Sequence, residues 1–453
     1  MDTATLRGMA WSSANSMDLN VDPNTATLRF IIVTVLIGVL MVPLGLVSCV
    51  VSEREGFRDQ AIGGISQSWG GAQRITGPML VVPYVRRVED TETVEHIHVM
   101  PRELDMRIDS SHEMRRRAIY STPVFQLEVT ASGTFDPLDL DALEARYGEV
   151  RLDQAIVVVG VSDSRGLRSA ALTWDGDPIP LEAGGGAFDS PALHGLLAHD
   201  AAEGAPFTLS LGLRATGRIS AVPVGDRSTL EIQSSWPHPS YDGRFLPDYH
   251  DVGAAGSSAS WTIHKLARGF PSVSATSPLI GSLPAEASRL SNVDVGFGAF
   301  EPVNLYRLVE RSLKYGVLFI ALTLVSILCL ELLTGLRFHF VQYGVVGIAL
   351  ALFFITLLAL AEHIGFTLGY AAAAAVLTLM ITGYAHASTK NVRLAVTTAA
   401  TLGALYGVLF VLLRLEAFAL LVGAGMLLLM LGVVMVATRK LTPQAVDGGG
   451  RGG

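Results

Sequence analysis

The sequence has few cysteines, few charges and none of the short motifs that mark common catalytic sites. Only two of its 453 residues are cysteine, so no disulfide framework and no Cys-based zinc site is available. Cys49 lies near the end of one apolar run and Cys329 deep in another. That arrangement is expected to set them in opposite leaflets, where they cannot pair. Charged residues make up only 16% of the chain and the formal net charge is -8. A nucleic-acid partner is excluded on that basis, because neutralising phosphates needs clustered Lys and Arg. The patterns G-x-S-x-G, Walker A and H-E-x-x-H do not occur, which removes the nucleophile elbow, the phosphate loop and the zinc-protease helix. No catalytic, cofactor-binding or metal-binding residue is assigned.

What the chain has instead is apolar length. Half of its residues are hydrophobic and the mean hydropathy is +0.43, as expected where part of the mass lies in lipid. The runs Gly316–Thr334, Gly344–Ala361, Gly365–Ala385, Leu394–Leu413 and Ala417–Ala437 follow one another closely, and Phe30–Val51 stands far upstream. Each is long enough to cross a hydrocarbon core, which takes about 20 residues of helix. The connections within the C-terminal group are too short for anything except antiparallel neighbours in one bundle. Arg29, Arg337, Lys390, Arg393, Arg439 and Lys440 fall on one side of the membrane if both termini are cytoplasmic, which the positive-inside bias favours.

The sequence therefore predicts an α+β membrane protein: a polytopic α-helical bundle of six spans with a large periplasmic β-rich domain inserted between span 1 and span 2. The expected divisions are a mobile cytoplasmic tail at 1–28, the first transmembrane helix at 29–51, the β-rich domain at 52–311, a five-helix bundle at 312–438 and a cytoplasmic tail at 439–453. The run Phe30–Val51 is too long for a signal-peptide core and reads as an uncleaved anchor. Leu46-Val47-Ser48-Cys49 also fits a lipobox, and acylation of Cys49 is the rival reading.

Glu53–Arg74 carries Phe57, Ile62, Ile65 and Trp69 at near-helical spacing and is expected to form a short surface helix leaving the membrane. After it the runs Met79–Val85, Val124–Gly133, Ala155–Val161, Leu167–Trp174, Phe207–Leu213, Thr229–Gln233 and Ser258–His264 read as strands of a sandwich or of paired sheets. Asp139–Tyr147 reads as a helix between strands, and Gly184–Ala187 and Gly253–Ser260 as flexible loops. The densest polar cluster is Trp236–Asp251, with His238, His250, Asp242, Asp248 and Asp251. Its prolines prevent a helical ligand pair, so a structural loop outweighs a metal site.

The central parts of all six runs lack ionisable residues, which weighs against a proton-coupled carrier. Glu331 is expected to snorkel towards the cytoplasm near Arg337. Ala371–Ala375 and Gly403-x-x-x-Gly407 are expected to serve close helix packing. At the opposite end Arg311, Lys314, Glu362, His363, Arg414 and Glu416 meet at one depth. They form a candidate periplasmic docking rim for the β-rich domain.

The spelling of several segments carries more. Leu313-Lys314-Tyr315-Gly316-Val317-Leu318-Phe319-Ile320, Gln342-Tyr343 and Ala361-Glu362-His363-Ile364-Gly365-Phe366 resemble, in order and spacing, the membrane region of the CreD family of bacterial inner-membrane cell-envelope integrity proteins. Trp69-Gly70-x-x-Gln73-x-Ile75-x-Gly77-Pro78 with Leu80, Val82, Pro83 and Tyr84 is similar to that family's entry into its first periplasmic strand. Glu53-Arg54 and Arg117-x-Ile119-Tyr120 are further matches. The resemblance implies a bacterial inner-membrane protein that supports envelope integrity and the envelope stress response, as a non-enzymatic scaffold or sensor. Its partners would be the lipid bilayer and envelope components or other inner-membrane proteins. The alternatives are a membrane-anchored periplasmic enzyme acting on envelope glycan or lipid, with His238–Asp251 as its first candidate segment, and a transporter.

Overall fold

A computed structural model of the chain describes residues 26–88, 91–184, 192–276, 293–299, 305–334, 339–415 and 419–438. The two expected tails, apart from the helical residues 26–28, lie outside these residues, as do Arg337, Arg439, Lys440, Glu416 and most of the Gly184–Ala187 segment. The chain divides into two compact units, Met1–Glu55 with Asn304–Gly453, and Gly56–Val303.

Helix α1 (Ala26–Trp69) runs unbroken for 44 residues, about 66 Å at 1.5 Å per residue. This corrects the expectation of a separate surface helix over Glu53–Arg74. No breaker lies between the apolar run and Glu53, and Gly63 and Gly64 each cost only about 1 kcal/mol relative to Ala. The helix stops at Gly70, whose φ of +131° and close approach to the Arg214 carbonyl leave no room for a Cβ.

The second unit is built of paired sheets. One runs, in spatial order, Pro239–Gly243, Val295–Ala299, Arg218–Val222, Gln73–Val88, Ile156–Val161, Ala192–Leu196 and Glu182–Ala183; Thr91–Val99 and Glu149–Val150 also pair with Gln73–Val88, and Val273–Thr276 pairs with Thr91–Val99. The other runs Tyr249–Gly253, Gly256–His264, Arg227–Ser234, Glu103–Arg117, Tyr120–Thr134, Pro206–Thr216, Leu167–Trp174 and Asp177–Ile179. Alternation explains the layering, since every second residue of a strand faces the same side. Leu104, Met106 and Ile108, Leu127 and Val129, and Leu209, Leu211 and Leu213 point inward from the second sheet. They pack in one core with Ile75, Met79, Val157, Val159 and Ile219 of the first.

All seven runs read as strands fall in or overlap a strand. Helix α2 (Leu140–Tyr147) is capped by Asp139, whose Oδ1 accepts from the Ala142 N–H at 3.1 Å. Gly253–Ser260 is not a flexible loop: Gly253 pairs with Gly256 across a tight hairpin turn, and both flanks are strands. A short helix, α3 (Lys265–Arg268), follows. Its Arg268 is buried, pairs with Asp226 and donates to the carbonyls of Val224 and Phe270.

The first unit contains α4 (Leu305–Thr334), α5 (Phe340–Ile364), α6 (Phe366–Thr389), α7 (Val392–Arg414) and α8 (Ala419–Thr438). Five helices, α1 and α4 to α7, are long and apolar enough to cross a membrane; α8 is also apolar. The protein is thus a membrane protein with a β-rich unit. Aromatic side chains fill the bundle's middle: the Phe319 and Phe353 rings lie 4.7 and 4.8 Å from Tyr406. The Tyr370 hydroxyl donates to the Tyr406 carbonyl at 2.7 Å. The glycines that admit close helix contact are Gly316 against Phe354, Gly347 against Leu40 and Gly369 against the Ala361 backbone. Gly403 and Gly407 are exposed and meet nothing within 4 Å, which corrects the packing role expected for them within the chain.

Candidate functional site

The segment that ends α1 and enters the first strand is also the most densely bonded junction of the second unit. Trp69 donates its indole N–H to the Phe125 carbonyl at 3.1 Å. Its ring lies between two guanidinium groups, Arg115 at 4.6 Å and Arg214 at 4.2 Å from the centroid, each contact worth about 0.5–2 kcal/mol. The Gln73 side chain donates to the carbonyls of Asp163 and Arg214 at 2.8 and 3.1 Å. Asp163 in turn accepts from the Gly71 N–H at 2.7 Å and from Arg165 through both carboxylate oxygens. The Arg165 guanidinium holds the Asp163 carboxyl down at about 2. Phe125 and Arg214 belong to the second sheet, whereas Gln73 opens a strand of the first and Asp163 lies just beyond another. One short stretch therefore fastens α1 to both sheets. Gly77 and Pro78 sit where pairing with Ile156–Val161 shifts register between Thr76 and Met79, a place where a strand tolerates Pro.

A second polar centre lies inside the membrane unit. Glu331 is only 2% exposed, forms a salt bridge with Arg29 of α1, and accepts from the Tyr343 hydroxyl of α5 at 2.5 Å. The expectation that Glu331 snorkels outward is corrected: a carboxylate met by a guanidinium and a phenol remains buried, because its partners replace hydration. Sequence separation hid this pair, since Arg29 and Glu331 are 302 residues apart. Beside Tyr343 a cavity of about 30 Å³ is lined by Gln342, Val346, Ile381, Tyr384 and Thr398 among others. That is room for about one water.

The described residues of the expected rim find partners within the bundle. Tyr306 donates to Glu362 at 3.0 Å, Arg311 to the Leu415 carbonyl at 3.3 Å and Arg414 to the Thr367 hydroxyl at 2.8 Å. Lys314 pairs with Glu310 one turn earlier, at 3.0 Å, on an exposed face. His363 bonds the Ala359 carbonyl of its own helix at 2.9 Å. Glu362 and His363 do not pair with each other.

The Trp236–Asp251 cluster, expected as one loop, is split between the sheets: Pro239–Gly243 joins the first and Tyr249–Gly253 the second. Several of its polar groups are spent on this crossing. Asp248 accepts from the Thr262 N–H at 2.7 Å, Asp242 pairs with Arg218, and the His250 ring lies tilted against Tyr241 at 5.7 Å. No grouping of His, Cys, Asp and Glu suited to a metal occurs among the described residues.

Beside this segment, the open face of the second sheet forms a polar hollow of about 770 Å³. Asp109, Gln126, Glu128, Gln233, Asp251 and Ser258 contribute to its lining. At one edge the Ser235 hydroxyl lies 2.6 Å from His112 Nδ1 and accepts from the His112 N–H at 2.9 Å. Ser235 thereby continues the ladder to the Glu103–Arg117 strand with its side chain, just where the chain turns away at Trp236. No carboxylate orients His112 among the described residues; its ring packs on Trp236 at 5.1 Å.

The comparison with known proteins decides the family. A profile described as Inner membrane protein CreD matches residues 25–442. The chain belongs to the CreD family. It is 31% identical over 422 residues to Inner membrane protein CreD of Escherichia coli (strain K12), covering 89% of this chain and 90% of that relative. The CreD match takes in the Trp69–Gln73 junction, the Arg29–Glu331 pair and the bundle's polar end alike.

Proposed function

We propose that the chain is a six-span inner-membrane protein that supports cell-envelope integrity and the response to envelope stress. It acts as a non-enzymatic scaffold or sensor, with both termini cytoplasmic and the β-rich unit in the periplasm. The observation that carries this reading is the unbroken helix α1, which begins in an apolar span and ends in the Trp69–Gln73 clamp on both sheets. The end of the helix is held by cation–π contacts and several hydrogen bonds, so a pull on that end is passed to both sheets. That is a coupling device and requires no active site. The Arg29–Glu331 pair fastens the beginning of the same helix to the bundle.

The test has two arms. A periplasm-active reporter fused after Gly256 is active and one fused after Thr389 is silent; the reverse pattern overturns the topology. In a deletion strain sensitive to detergent, wild type restores resistance. A three-residue Gly-Ser-Gly insertion after Glu55 interrupts α1, leaves both units folded and fails to restore it. Full complementation by the insertion variant would defeat the coupling role.

A further inference from the structure

The polar hollow on the second sheet has no part in that coupling, and its chemistry is specific. Five strands contribute to it, and the pairing register sets their side chains in a straight row. Asp251 lies opposite Ser258, Ser258 opposite Gln233, Gln233 opposite Asp109 and Asp109 opposite Glu128. At about 4.8 Å per strand the row is about 19 Å long. Its volume of about 770 Å³ lies within the range of small-ligand sites. Such sites are mostly apolar, whereas here the lining is hydroxyl, carboxamide and carboxylate, with Ala255 and the glycines at one lip the exceptions.

We infer that this hollow binds an uncharged oligosaccharide chain. A sugar presents hydroxyls that both donate and accept, so its site needs many separate polar groups with unfilled valences. The side chains of Ser111, Glu128, Asp251 and Ser258 line the hollow without a hydrogen-bond partner among the described residues. Gln233 uses its amide N–H on Glu231 at 2.8 Å and keeps its carbonyl open. Tyr249 shares the face of Asp251, two residues along the same strand, and is 62% exposed. Its ring supplies a flat surface against which a sugar ring packs. Anionic ligands are disfavoured by Asp109, Glu128 and Asp251; of the nearby cations, Arg107 is bound to Asp109 at 3.0 Å and Arg168 donates to the lining Gln126 at 3.0 Å. Apolar ligands would leave these polar groups without partners. At Gly256 the backbone lies so close to the neighbouring strand that a Cβ would collide with the Ser234 carbonyl oxygen.

An uncharged sugar chain can come from a glycan strand or from the headgroup of a neutral glycolipid, and the test separates the two. The full chain, purified in detergent, is titrated calorimetrically with the tetramer of β-1,4-linked N-acetylglucosamine. In a second arm, chain in nanodiscs is titrated with vesicles carrying a neutral glycolipid. Saturable binding in either arm is expected, and the arm that responds names the source. Ser258→Trp fills the hollow and weakens binding by about tenfold or more. The milder pair Ser111→Ala and Ser258→Ala does the same in part, which covers a Trp variant that misfolds. Thr130→Ala, on the same face but outside the lining, leaves affinity unchanged. Absence of binding in both arms, equal affinity of Ser258→Trp and wild type, or displacement of the sugar by spermidine overturns the inference. The measurement is independent of membrane orientation, so its failure leaves the proposed topology untouched.

Discussion

Each unit contains a buried arginine–carboxylate pair, and the contrast between the two shows what each is for. In the β-rich unit Arg268 pairs with Asp226, and Lys265 and Ser272 also reach the carboxylate. Burial works against ionisation of Asp226, yet these hydrogen bonds and the Arg268 charge hold its pKa below the usual carboxylate range. The partners are neighbours in one local crossing, so this pair fixes a turn. In the membrane unit Arg29 and Glu331 come from opposite ends of the chain. With Tyr343 they tie three helices together where little water competes. That pair fixes assembly.

Removing one member of a buried pair strands the other, at about 3–5 kcal/mol. The largest expected effect is therefore Arg29→Ala, which lowers the unfolding midpoint of the detergent-solubilised chain and frees α1 from the bundle. The double variant Arg29→Leu with Glu331→Leu restores most of that loss, since two apolar residues leave no stranded charge. Arg268→Ala destabilises the β-rich unit to a similar degree while sparing contacts among α1, α4 and α5. Limited proteolysis of each unit distinguishes the two. Loss of both units in either variant would mean that they do not fold as separate bodies.

The same contrast explains what was legible in the sequence. Apolar helices and strands are legible because each depends on a local rule: length for the apolar runs, and alternation for Leu209, Leu211 and Leu213. The strand Glu103–Arg117 escaped notice because its outward residues are charged and its inward set, Leu104, Met106 and Ile108, is short. Helix α1 was cut too early because composition changes at Glu53 while the backbone does not. Glu331 departs from its expected place for a different reason. Its partner lies 302 residues away, and no spacing rule reports a contact made by the tertiary fold. Gly403 and Gly407 have the G-x-x-x-G spacing on a face where a Cβ would meet nothing within 4 Å, whereas the same spacing in Gly365-x-x-x-Gly369 sets Gly369 against the Ala361 backbone, so the spacing alone does not tell which face is packed.

Trp69→Ala tests whether the junction resembles the assembly pair or the local one. It removes one hydrogen bond and two cation–π contacts of a half-buried ring, an expected loss of about 2–3 kcal/mol. Hydrogen exchange is expected to rise at the end of α1 and along Phe125 and Arg214 together. A rise at α1 alone would show that the clamp does not bind the helix to the second sheet.

A pH effect of about 2 kcal/mol is expected in the β-rich unit. Burial, followed by the nearby His96, pushes the His98 pKa down to about 4, against about 6.5 in an unfolded chain. The unfolded state then binds more protons between about pH 6.5 and 4, so stability falls as pH falls through that window. From pH 7 to pH 5 the loss is about 2 kcal/mol for His98, and the lowered His96 adds to it in the same direction. His98→Gln flattens this slope. An unchanged slope would mean that other groups carry it.

The smallest effect separates two residues that the sequence placed in one rim. Glu362 accepts a hydrogen bond at 3.0 Å from Tyr306, which is only 3% exposed. Lys314 pairs with Glu310 across one helical turn, with side chains 68% and 46% exposed. Water competes freely for the second pair and poorly for the first. An exposed i, i+4 pair is worth about 0.3–0.5 kcal/mol, while a charge-assisted bond to a buried hydroxyl is worth about 1.5 kcal/mol or more. Glu362→Ala should therefore lower the unfolding midpoint measurably at both low and high salt, because the lost bond is made to a buried phenol, which salt does not screen. Lys314→Ala should produce a shift near the limit of detection at low salt, and none at high salt, where exposed pairs are screened. Equal and salt-sensitive shifts in the two variants would return Glu362 to a solvated rim and remove its part in holding α4 against α5.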